Sequence, residues 1–62
     1  MKFFIEEVLT AEKKRVKVFV VDEENRKVAH VITRVYGRNT RVDYEKLKKE
    51  AEEEYREWQK EH

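Results

Sequence analysis

The sequence predicts an α+β domain, a three-stranded antiparallel sheet followed by one C-terminal helix in the order β-β-β-α. Three observations carry this. A stripe of Tyr44, Leu47, Ala51, Tyr55 and Trp58 recurs at helical spacing near the C-terminus. Two stretches rich in β-branched residues, R-V-K-V-F-V-V-D and K-V-A-H-V-I-T-R-V-Y, flank a polar D-E-E-N-R segment. The chain then opens on Phe3-Phe4-Ile5, residue types that favour a pleated strand.

Residues 2 to 10, K-F-F-I-E-E-V-L-T, form the least determined element. Phe4, Ile5, Val8 and Leu9 also fit a helical stripe, which keeps α-β-β-α as the alternative architecture. Against a helix, no capping residue precedes the segment. In Arg15 to Asp22 the alternation sets Val16, Val18 and Val20 on one side. Lys27 to Tyr36 reads as its hairpin partner, with Asn25 the residue suited to the left-handed backbone of a tight turn. The single glycine, Gly37, relieves the backbone where the chain leaves the sheet. It opens a connector, Arg38 to Arg41, whose charges face water. Asp43 is placed as an N-cap, and Val42 as a hydrophobic staple onto Leu47. Glu45–Lys49 and Glu52–Arg56 lie at the spacing of helpful ion pairs, and Glu57–Glu61 at the spacing of a repulsive one.

Sixty-two residues make one domain, 1–62, with a small core. There is no cysteine to staple it, which fits a reducing compartment. The longest apolar run, Val18 to Val21, falls far short of a membrane span. The apolar start is too brief for a secretory signal, since Glu6 and Glu7 follow at once. Charge is polarised: residues 1 to 42 carry +4 and residues 43 to 62 carry −3.

The second and third strands are apolar on both faces. With Val16, Val18, Val20, Val31 and Val35 under the helix, the opposite face holds Phe19, Val21, Val28, Ile32 and Tyr36, with Arg34 beside them. One helix covers one face. The second must be closed by sheet curvature, by the N-terminal segment or by another molecule. The candidate interaction face is therefore Phe19, Val21, Val28, Ile32, Arg34 and Tyr36. Its expected partner is a second copy in a homodimer, or a protein target the chain was made to bind.

Catalytic chemistry has little to build on. With neither serine nor cysteine, the nucleophiles left are Thr10, Thr33 and Thr40. His30 has no carboxylate pinned beside it by sequence and reads as a partly exposed strand residue. His62 is terminal, and two histidines 32 positions apart without cysteine make no zinc signature. One glycine cannot supply a phosphate loop. The glutamates of E-E-E-Y-R-E read as a solvated helix face. No catalytic residue, cofactor or metal is expected, and the chain is not expected to be an enzyme.

Residue usage is narrow: twelve Glu against two Asp, no Pro, no Ser, one Gln. Both Asp stand where a turn or a cap uses one. This economy resembles the idealised alphabet of computationally designed miniproteins, and implies a structural or interaction protein with no natural activity. A second resemblance, in element order only, covers residues 15 to 58. T-R-V-D-Y-E-K-L-K-K-E-A-E-E-E-Y falls where plant AP2 domains and phage integrase arm-binding domains have their helix. Those families read the major groove from an exposed sheet face, here Lys17, Phe19, Arg34 and Tyr36. This makes a small nucleic-acid-binding domain the alternative function. Their tryptophans and the glycine-aromatic pair after strand three are not matched. F-I-E-E-V-L resembles the first strand of chromodomains, but the Lys-Trp of their methyl-lysine cage is missing after V-K-V-F-V-V.

Overall fold

A computed structural model describes residues 1–61, and His62 lies outside them. The order is β1 (Lys2–Leu9), β2 (Lys13–Asp22), β3 (Lys27–Gly37) and α1 (Tyr44–Glu61). The strands form one antiparallel sheet in the order β1-β2-β3, so the expected β-β-β-α architecture is the one observed. Residues 2 to 9 are strand, which removes the α-β-β-α alternative.

Pairing fixes which side chains share a face, because directly opposed residues of an antiparallel pair project to the same side. Val18 lies opposite Ile5 and Ile32, Val20 opposite Phe3 and His30, and Val16 opposite Glu7 and Arg34. The helix packs on this side, over β2 and β3. Beneath it lies a core of Val16, Val18, Val20, Ile32, Leu47 and Ala51, flanked by half-buried Phe3, Tyr36, Val42, Tyr44 and Tyr55.

This phase corrects one expectation. Alternation along the sequence places Val31 and Val35 under the helix, with Ile32, Arg34 and Tyr36 opposite. In the structure Ile32, Arg34 and Tyr36 face the helix, while Val31 and Val35 face away. The cause is a one-residue difference in register. A slip of one residue exchanges every side chain between faces, and a strand apolar on both sides gives no warning of it. Arg34 shows why the observed phase is favourable: its guanidinium bonds Glu54 and lies 3.9 Å from Glu50 on α1. Ala29 is an extra residue in β3, a bulge between the pairs Val20–His30 and Val21–Val28. That bulge returns Val28 to the open side although Ile32 points inward.

Each connection has local support. Thr10 closes the first hairpin: its N–H donates to the Lys13 carbonyl at 2.8 Å, and its hydroxyl accepts from the Lys13 N–H at 3.0 Å. In the second hairpin the Asp22 carboxylate accepts from the Glu24 N–H at 3.0 Å and from the Asn25 side-chain amide at 2.6 Å. These bonds, the Asn25 side chain foremost, hold the Asp22 carboxyl below its ordinary pKa. Asn25 is thereby occupied as a donor, and the left-handed position falls one residue later, on Arg26 at φ 52°. A side chain there is strained by about 1 kcal/mol. Arg26→Gly should therefore stabilise the domain by about 0.5–1 kcal/mol, raising Tm by a few degrees in a thermal melt; an unchanged or lowered Tm would contradict the strain.

Gly37 is not left-handed. Its carbonyl accepts from the Thr40 N–H at 3.0 Å, and a Cβ would stand 3.2 Å from the Thr40 hydroxyl oxygen. The connector is also less free than its sequence suggests. Arg38 donates to the Thr10 carbonyl at 2.6 Å, and its backbone N–H donates to the Glu12 carbonyl at 3.0 Å, tying the exit of β3 to the first turn. Asp43 caps α1 by accepting from the Lys46 N–H at 3.1 Å. On the helix surface Glu45 pairs with Lys48 at 3.2 Å, and Glu52 with Arg56 at 2.8 Å.

Candidate interaction face

The sheet side turned away from α1 is uncovered. Three rows cross it from β1 to β3. Lys2, Val21 and Val28 form the first, Phe4, Phe19 and Val31 the second, and Glu6, Lys17 and Thr33 the third. A fourth row of Val8, Arg15 and Val35 lies beyond them. Phe4 is 57% exposed and Val35 55%, and Val8, Val28 and Val31 are also exposed. Phe19 and Val21, at the centre of the sheet, are half-buried. The second row is entirely apolar and continuous with Val21 and Val28. Glu6 opposes Lys17 in the third, which makes that row the polar part of the face.

Of the six residues read from the sequence, the structure thus sets Phe19, Val21 and Val28 on the open face. Ile32, at 4% exposure, belongs to the core. Arg34 is engaged by Glu50 and Glu54, and Tyr36 packs against the core. Phe4, Val8, Val31 and Val35 complete the face and are not among the six. The signal for Phe4 and Val8 is present in the sequence: once residues 2 to 9 are a strand, Phe3 inward forces Phe4, Glu6 and Val8 outward.

Other side-chain groups lie at the two ends of the helix. His30 stands under α1 with its ring centroid 6.0 Å from that of Tyr55 and 6.4 Å from that of Trp58, and the two helix rings are 6.5 Å apart. Tyr55 packs against the core, while Trp58, expected from the helical stripe to be buried, is 45% exposed. At the other end of the helix the Tyr44 hydroxyl donates to Glu7 at 2.6 Å, which pushes the phenol pKa above its ordinary value. Lys14 lies 3.8 Å from Glu7 and donates to the Thr40 carbonyl at 3.0 Å. This group ties β1, β2, the connector and the helix start together. An open cleft at the second hairpin is bordered by Met1, Val21, Asp22, Glu23, Glu24, Tyr55 and Gln59. Among the described residues, no cluster of three His, Cys, Asp or Glu could hold a metal ion. No helix there is long and apolar enough to cross a membrane.

Comparison with protein-family models, with curated proteins and with solved structures finds no match.

Proposed function

We propose that the chain is a self-associating structural module without catalytic chemistry, and that its interface is the open sheet face. The observation that carries this is the uncovered apolar band of Phe4, Phe19 and Val31, continuous with Val21 and Val28, in a chain whose described residues bury a core of only six. A contiguous exposed apolar patch is the usual mark of an interaction surface. The narrow, cap-conscious composition supports a structural role over an enzymatic one.

The alternative, nucleic-acid binding from the sheet, relies on Arg34 and Tyr36 beside Phe19. Both face the helix, so the cations left to it on the open side are Lys2, Lys13, Arg15 and Lys17, the last opposed by Glu6. Self-association has the better support.

Sedimentation equilibrium from micromolar to millimolar protein, at low and at moderate salt and with or without duplex DNA, tests the reading. The expected result is an average mass that rises from 7.7 kDa toward twice that value, with little dependence on salt because the contact is apolar. A mass that stays at the monomer value, or DNA binding that weakens steeply as salt rises, overturns it.

A further inference from the structure

Resting on that reading, we infer that the partner is a second copy bound face to face about a two-fold axis running across the strands at the Phe4–Phe19–Val31 row. Lys2 of each copy then pairs with Glu6 of the other.

The area fits. A folded monomer of 7.7 kDa exposes about 4,300 Å² by the size scaling of globular proteins, whereas this chain exposes 5024 Å². The excess, about 700 Å², is of the order of the ~800 Å² that each partner buries in an interface of standard size, and the open face shares it with Ile5, Leu9 and Trp58 on the helix side.

The charges then choose the axis. A two-fold relating stacked sheets lies in the plane between them and puts identical patches together. An axis along the strands sets like rows against like rows with β2 over β2, so that Lys17 faces the partner's Lys17 near the centre. An axis across the strands at the Glu6–Lys17–Thr33 row does the same and adds Glu6 against the partner's Glu6. Moved to the Phe4–Phe19–Val31 row, the crossing axis sets Phe19 on the partner's Phe19. It also brings together the rows on either side, in reverse. Lys2 then lies over the partner's Glu6, and Glu6 over the partner's Lys2, at the outer strand where long side chains bridge the ~10 Å between sheets. Lys17 meets the partner's Val21, along which its methylenes lie while the ammonium reaches the rim. The axis along the strands also stacks the aromatic row on itself, but of the three only this placement pairs opposite charges twice.

The test uses two single variants of the full chain, Lys2→Glu and Glu6→Lys, with folding checked by circular dichroism. Each alone places like charges at both outer contacts, and its self-association should weaken about tenfold at low salt. Mixed in equal amounts, the two variants present glutamate to lysine at both contacts, and association should return to the wild-type value. The Lys2→Glu/Glu6→Lys double variant should recover it as well. If Glu6→Lys fails to fold because Lys17 opposes the substituted position, Lys2→Glu still reads the contact. Adding Glu6→Gln to it removes the like charges and should restore most of the association. Single variants that associate as tightly as the wild type, or a mixture and double variants that stay weak, overturn this arrangement while leaving the open face as interface. A wild-type chain that remains monomeric overturns both.

Discussion

Replacing Ile32 with aspartate unfolds the chain, whereas the same replacement at Val31 leaves it folded. The two residues are neighbours on β3 and nearly alike in chemistry, but Ile32 is 4% exposed and Val31 is 42% exposed. At position 32 the change removes a buried side chain worth about 2–3 kcal/mol. It also sets a carboxylate against Val18, too short to reach water by extending its stem. A domain of this length holds roughly 3–9 kcal/mol in all, and the combined loss consumes most or all of it. At Val31 the carboxylate points into solvent, and the cost is the strand preference alone, about 1 kcal/mol or less. Circular dichroism of the two variants at low concentration reads the difference. The reverse outcome, a folded Ile32→Asp and an unfolded Val31→Asp, would show that β3 has the opposite phase.

Leu47→Ala carries the next largest effect. Leu47 is one of two helix residues in the core, 3% exposed, and the other, Ala51, has no more side chain to lose. Truncating it costs about 2.5–4 kcal/mol through lost transfer energy and the cavity left over β2 and β3. Tyr44, Tyr55 and Val42 only border that space, so relaxation has few atoms to fill it. A urea titration should show the midpoint falling by at least about a quarter with the slope retained. A loss under about 1 kcal/mol, well below the usual cost of such a cavity, would mean that α1 is held mainly by its rim contacts, such as Tyr44–Glu7 and Arg34–Glu54.

Much of the architecture is legible in the residues. The α1 stripe works because charged positions separate its apolar ones, so only one helical face can be buried. Asp43 has no other role before such a stripe than to cap it. The strand at residues 2 to 9 follows from Phe-Phe-Ile and the missing cap, although a helical stripe can be drawn through the same residues. What the residues do not reveal is the phase of β3. Val28, Val31, Ile32, Val35 and Tyr36 supply apolar groups to both sides, so alternation gives two solutions of similar quality. The choice is made at a distance, by the Asp22–Lys27 hairpin geometry, the Ala29 bulge and the acids of α1 that receive Arg34. Only the Ala29 bulge lies within the strand, and no residue type there marks it. The candidate face inherits that ambiguity: Phe19, Val21 and Val28 fall on the open side, while Ile32, Arg34 and Tyr36 do not. The left-handed turn position escapes for a related reason. Asn25 is the better residue for it by type, but Asp22 claims its amide.

The central claim, that the open sheet face meets the same face of a second copy, is tested most directly by isotope-filtered nuclear Overhauser spectroscopy. Labelled and unlabelled chains are mixed at a concentration where sedimentation shows the heavier species. The account predicts intermolecular contacts from the Phe4 and Phe19 rings and the Val31 methyls, and none from Ile32 or Leu47. Intermolecular contacts confined to α1, or to the outer edges of β1 or β3, would contradict it.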